Sequence, residues 1–235
     1  MSAQSADQSS AHGFGKALGV TFATALVCSL VVTGTHLALK PVQESWTNVA
    51  RYRSVLDVSG LLPGTPASDR ELAALMRQME MRDVGISRTV NGEVKVTTEP
   101  VFLVWTDDRL QRVILPVSGQ GMWAPIHGYL ALEPDLRTVA EISFHDIGDT
   151  PGIGDRIQDP EWRAQWRGKV AFNDAGEAVL GTGDDPRHHI DAVAGATITS
   201  TAATKLVRDA LGADGFGPFL DRLRRENLNP EGTGP

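Results

Sequence analysis

Apolar and polar positions divide the chain into three stretches. Residues 1–16 are polar, rich in Ser, Ala and Gln, and predict a flexible tail. From Ala17 to Leu39 no charged residue occurs. As a helix that run reaches about 35 Å, enough to cross a hydrocarbon core of roughly 30 Å. It predicts a transmembrane helix rather than a cleaved signal peptide. The run exceeds the usual apolar region of a signal, and Thr35-His36-Leu37-Ala38 is not a small-x-small cleavage site. Residues 40–235 predict one soluble domain, entered through an amphipathic stretch from Val42 to Leu56.

Within that domain the period changes twice. Leu61 to Pro66 is a loop by its Pro and Gly content. Ser68 and Glu71 form a capping box, and Leu72, Leu75, Met76 and Met79 follow at helical spacing, predicting a helix that closes near Gly85. From Val90 the period is two. Val94–Thr97, Phe102–Trp105 and Arg112–Leu115 predict strands, the last two joined over Asp107-Asp108. Tyr129–Leu132 and Thr138–Phe144 predict another hairpin, turning at Pro134-Asp135. A helical pattern returns from Thr199 to Leu211, with Ala202, Leu206 and Ala210 along it. Strands in one block with helices on either side predict an α+β fold: an antiparallel or mixed sheet with packed helices.

Composition narrows the chemistry. Lys and Arg number 22 against 29 Asp and Glu, a net charge of -7, which argues against nucleic-acid binding. The single cysteine, Cys28, lies in the apolar span, so there is neither a disulfide framework nor a Cys-x-x-Cys metal pair. Lys16 precedes the span while Lys40, Arg51 and Arg53 follow it, and charge alone leaves the topology undecided. His36, near the end of the span, can snorkel to the interface. His188-His189 with Asp185, Asp191 and His145 match no metal-ligand spacing, and no Gly-x-Ser-x-Gly elbow is present.

One segment stands out: Asp191-Ala192-Val193-Ala194-Gly195-Ala196-Thr197-Ile198-Thr199-Ser200. Its small residues permit a tight turn, and its hydroxyls lead into a helix. Thr199 or Ser200 as N-cap is one reading; a phosphate site on the helix N-terminus is the other. Asp-x-x-Ala-Gly-Ala-Thr resembles the flavinylation motif of FMN-binding domains in redox-driven ion pumps, with Ala194 where Ser or Thr is usual. The resemblance implies FMN joined to the Thr197 hydroxyl as a phosphoester by a flavin transferase. It places Asp191 at the opening of the motif and Gly195, Ala196 and Thr199 around the cofactor.

Two further segments carry the same resemblance. Asp149-Thr150-Pro151-Gly152-Ile153-Gly154 is a Pro-Gly turn by its residues, and it resembles the loop that sets Thr150, Gly152, Ile153 and Gly154 beside the flavin. Gly119-Gln120-Gly121-Met122-Trp123 resembles another flavin-adjacent segment, in which Trp123 either packs on the ring system or is a buried aromatic without a ligand.

Asp159-Pro160-Glu161-Trp162-Arg163-Ala164-Gln165-Trp166 resembles a stretch of the C subunits of Na+-translocating NADH:quinone reductases. There Asp159 and Pro160 start a short helix with both tryptophans on one packing face. Gly215-Phe216-Gly217-Pro218-Phe219-Leu220 and the single N-terminal span are similar to that family too. The resemblance implies a membrane-anchored electron relay in an NADH:quinone (ubiquinone) reductase, with FMN as its cofactor. NADH entry, quinone exit and sodium transport then fall to other membrane subunits. It also implies a single pass through lipid in a bacterial inner membrane and a periplasmic domain. The rivals are the flavin subunit of an Rnf-type ferredoxin:NAD oxidoreductase and a flavin-free anchored scaffold.

Overall fold

The computed structural model describes residues 4–62, 68–90, 93–148 and 152–228, so Thr150 lies outside the described residues. The chain divides into two compact units, Met1–Val49 and Ala50–Pro235. The described residues of the first unit all belong to helix α1, Gln4–Ser59. Within it Gly19–Lys40 is long and apolar enough to cross a membrane. Val20, Phe22, Leu26, Val27, Leu30 and Val31 all face outward on it. A helix apolar on all sides and covered by no protein suits lipid, not water. Two of its hydroxyls bond within the helix: Thr24 donates to the Val20 carbonyl at 2.8 Å and Thr35 to that of Val31 at 2.7 Å.

The second unit opens with the last residues of α1, where Val55, Leu56 and Val58 are buried. A guanidinium N–H of Arg112 donates to the Val58 carbonyl at 2.7 Å, and Arg163 pairs with Asp57 at 2.5 Å. Helix α2, Asp69–Met76, begins as expected from its capping box: Ser68 N–H donates to the Glu71 carboxylate at 2.7 Å, and Glu71 N–H returns to Ser68 Oγ at 3.4 Å.

Five antiparallel strands follow in sequence order: β1 Glu80–Val90, β2 Glu93–Thr106, β3 Arg109–Gln120, β4 Pro125–Leu132 and β5 Val139–Ile147. The helix expected to run through Met79 and close at Gly85 is therefore corrected. It stops at Met76, and Gly85 lies mid-strand opposite Thr98. Exposed Met81, Asp83, Gly85 and Ser87 alternate with more covered Arg82, Val84 and Ile86, which is the period of a strand. Val94–Thr97 and Phe102–Trp105 prove to be one strand, β2.

The turns obey local chemistry. Asp107 (φ 50°) and Asp108 (φ 57°) make the two-residue left-handed loop that matches strand twist. Asp135 Oδ1 accepts from Arg137 and Thr138 N–H at 2.9 and 2.8 Å, closing the β4–β5 hairpin.

On the sheet, Val113, Leu115, Val117, Ile126, Leu130 and Phe144 form one core with the helices α3 Pro160–Ala164, α4 Thr197–Leu211 and α5 Gly217–Leu228. Helix α4 packs on β3 at Gly119, where an added Cβ would lie 2.6 Å from that of Leu206. Elsewhere on the sheet the His145 ring stacks on Tyr129 at 5.4 Å, with His127 at 6.3 Å. Burial, then the neighbouring His127 and Arg51, push the His145 imidazole down to about 4.

Candidate functional site

The sequence-predicted site residues fall on three segments of the domain. The first is the β3–β4 loop. Gly121 N–H donates to the Ala124 carbonyl at 3.0 Å, and a Cβ at Gly121 would sit 2.7 Å from that oxygen, so only glycine fits. The constriction leaves Met122 exposed and Trp123 69% exposed. Trp123 is not the buried aromatic that one sequence reading allowed.

The second segment leaves β5 at Gly148, pressed so closely on Ala124 that a Cβ would approach its Cβ to 2.2 Å. It resumes at Gly152 (φ 78°) and exposed Ile153, then enters a 3-10 turn, Gly154–Gln158. Gly154 and Ile157 are buried against the body of the domain, and the turn packs on α4.

The third segment is residues 191–200. Asp191 is fixed through its backbone: its N–H donates to Gln165 Oε1 at 2.9 Å, and its carbonyl accepts Trp162 Nε1–H at 2.7 Å. Its exposed carboxylate meets His189 Nε2 at 3.1 Å. The Gly183 carbonyl on Nδ1, and then Asp191, raise the pKa of His189. Ala196 N–H donates to the Val193 carbonyl at 2.9 Å, closing a β-turn with Gly195 at φ 84°. A positive φ at the third position alone is the type II pattern that favours glycine.

Ser200 braces the turn from within the helix. Val193 N–H donates to Ser200 Oγ at 3.0 Å, and the Ser200 hydroxyl donates to the Ala196 carbonyl at 2.9 Å.

Helix α4 therefore starts two residues earlier than its apolar pattern suggested. Ala196 is the N-cap and has no side chain with which to cap, so neither Thr199 nor Ser200 is the cap. Both are buried, at 3% and 2% exposure. Thr197 is the first helical residue and is exposed, and Ile198 beside it is 59% exposed. Of the sequence-predicted site residues, Thr197, Gly195, Asp191, Gly152, Ile153 and Trp123 lie on the surface. Ala196, Thr199 and Gly154 lie beneath it.

Sequence reasoning missed Arg156. Its Nη1–H donates to the Ala194 carbonyl at 3.3 Å, tying the 3-10 turn to the turn before Thr197. Nothing in the spacing of a lone arginine after a Pro-Gly loop signals such a bond.

Among the described residues this region presents an open shelf of exposed residues. A cleft of about 750 Å³ lies elsewhere, between Phe172–Ala178 and the C-terminal end of α4. The paired histidines are also accounted for. His188 Nδ1 lies 2.6 Å from the Val170 carbonyl, and among the described residues no group of three or more acidic, His or Cys side chains is placed to hold a metal.

Residues 121–212 match the FMN-binding domain family, a range that takes in all three segments. The chain is 32% identical to the C subunit of the Na(+)-translocating NADH-quinone reductase of Pseudomonas aeruginosa, across 89% of this chain and 96% of that protein. It is also 32% identical to the corresponding C subunit of Yersinia pestis, across 91% and 94%. The fold matches the crystal structure of Shewanella oneidensis NqrC with a TM-score of 0.64 at 27% identity, over 74% of this chain and 96% of that one. Motif, fold and full-length similarity agree, and the chain belongs to the family of C subunits of the Na(+)-translocating NADH-quinone reductases.

Proposed function

We propose that this chain relays electrons through an FMN joined by a phosphoester to the hydroxyl of Thr197. As a member of the C-subunit family it is a membrane-anchored flavoprotein component of an NADH:quinone oxidoreductase complex. The flavin supplies the electron-accepting and electron-donating chemistry; the chain holds it and tunes its surroundings. The reading extends to FMN-side contacts from Trp123, Gly152, Ile153 and Gly195, with Thr150 in the adjoining loop and Asp191 opening the transferase recognition motif. Thr199 and Ala196 lie beneath that surface, Ala196 as the N-cap of α4.

One observation carries this reading. Thr197 is exposed at the first position of α4, on a turn held through Gly195 and Ser200; Ile198 next to it in the chain is exposed, as are Ile153, Met122 and Trp123 on the two other segments. The N–H groups of a helix start favour a phosphate. The apolar side chains suit an isoalloxazine ring. Yet a shelf buries far less ligand than the enclosing pockets that retain free cofactors. A covalent bond supplies the retention that burial does not.

Forming the bond requires an activated flavin donor, such as a flavin dinucleotide. Thr197 Oγ1 attacks the flavin-side phosphorus, the pyrophosphate bond breaks and the nucleoside monophosphate leaves. The hydroxyl proton passes to a base on the transferase. The partners in this reading are that transferase, the other membrane subunits and the lipid around Gly19–Lys40. The setting is a bacterial inner membrane with residues 50–235 on the periplasmic side.

Intact mass of the full chain co-expressed with a flavin transferase tests the proposal. A single FMN adduct mapping to Thr197 is expected. A bare chain, or an adduct that persists in Thr197→Ala, overturns it.

A further inference from the structure

Arg156 occupies a singular electrostatic position. Across the three segments that build the shelf, residues 121–124, 152–158 and 191–200, it is the sole lysine or arginine, while Asp155 and Asp191 supply carboxylates. One Asp155 oxygen is buried without a hydrogen bond. The nearby imidazole of His189 is engaged by the Gly183 carbonyl and Asp191. A phosphodiester on Thr197 adds one negative charge to this acidic surround. Beside the N–H groups of the helix start, Arg156 is the side-chain cation that these three segments offer that charge.

The Arg156 geometry suits the task. Nη1 holds the Ala194 carbonyl at 3.3 Å, three residues before Thr197, and Nε meets Asp159 Oδ2 at 3.4 Å. The side chain is still 49% exposed. Arginine has five N–H donors, and these two bonds leave three. The Asp159 contact is solvent-exposed and worth little by itself. The contact with Ala194 bears instead on the orientation of the peptide between Ala194 and Gly195, the one a type II turn inverts relative to the common type I.

We propose that Arg156 is the positioning residue of the flavin linkage. In the unloaded chain it holds the attachment turn, and in the loaded chain its free N–H groups pair with a non-bridging oxygen of the phosphodiester. This rests on the Thr197 reading and adds to it a specific counter-charge. An arginine fork matches phosphate oxygens better than a point charge does.

The test uses the full chain co-expressed with a flavin transferase and follows loading by intact mass against time. The phosphorus-31 resonance of the loaded, folded protein is then compared with that of the same protein unfolded. Arg156→Gln is expected to load about tenfold more slowly, the effect of losing one charge-assisted hydrogen bond. Its folded phosphorus resonance should move toward the unfolded position. Arg156→Lys, which keeps the charge, should restore loading in part and hold the resonance between the two. A purely structural arginine would leave the phosphorus signal where it is. If the parent chain loads and both variants load at its rate with an unshifted resonance, the role of Arg156 is overturned and the linkage stands. If the parent chain does not load, both fall. Should Arg156→Gln fail to fold, the Arg156→Lys rate and resonance decide the matter.

Discussion

Two tryptophan-bearing segments of the domain lie in opposite environments. Trp162 and Trp166 pack edge to face at 5.5 Å and 71°, both buried, and Trp162 donates its indole N–H to the Asp191 carbonyl. Trp123 is 69% exposed on a loop that Gly121 and Gly148 allow to pack closely at Ala124. The buried pair fixes where the motif begins; the exposed tryptophan lies on a separate loop. Large aromatic surface thus serves anchoring in one case and is left available in the other. The difference separates the scaffold of the site from its working face.

Replacing residues on the two sides should give opposite signatures. The largest effect is expected on the working face: Thr197→Ala should abolish the covalent adduct while moving unfolding stability by no more than about 0.5 kcal/mol, as for other exposed sites. Intact mass and denaturant unfolding in detergent read the two quantities. Residual labelling at Thr199 would break the comparison, since that hydroxyl is buried. Trp166→Ala is the converse. It should cost roughly 3–5 kcal/mol by opening a core cavity, and adduct formation should fall only as the folded fraction falls.

Trp162→Phe keeps most of the packing but strands the Asp191 carbonyl. A loss of about 1–2 kcal/mol is expected in the same denaturation experiment. An unchanged midpoint would mean that the indole bond does not anchor the motif.

His145 supplies a control away from both tryptophan segments. Its folded pKa of about 4 lies below its ordinary 6.5, so the folded state binds fewer protons than the unfolded chain between those values. Its contribution to stability is therefore full above pH 6.5 and is lost as pH falls toward 4. Because the ring is only partly buried, the loss is roughly 1 kcal/mol. His145→Phe should flatten the stability profile across that window. The groups that face His145 are His127, Arg51, Tyr129 and Asp146. The smallest stability effect belongs to Trp123→Ala, within about 0.5 kcal/mol, yet the visible circular dichroism of the loaded flavin should change. An unchanged spectrum would remove Trp123 from the cofactor's surroundings.

Much of this architecture was legible because its signals are local. Asp107-Asp108 specifies a two-residue hairpin, Ser68 with Glu71 a helix start, and Pro160 with two tryptophans a short packed helix; all three depend on neighbours in sequence. The motif at Asp191–Thr197 was legible as a turn into a helix for the same reason. Strand β1 was not. Met76 and Met79 continue a helical spacing into it, and its inward residues, Arg82, Val84 and Ile86, show their alternation only against β2. The start of α4 was misjudged because Thr199 and Ser200 are good caps in isolation, whereas in the folded chain Ser200 turns inward to hold Val193. Arg156 was invisible because its partner, Ala194, lies far along the chain and offers only a backbone carbonyl. Long-range bonds to main-chain atoms leave no trace in residue type.

The pre-formed hook at Val193–Ala196 also bears on how such a protein matures. A modifying enzyme meets a finished, outward-facing ledge and has no loose tail to capture, so little ordering entropy is spent at that encounter. The same ledge is closed to that enzyme once a neighbouring protein lies across it. With the flavin attached at Thr197 as proposed, folding comes before cofactor loading.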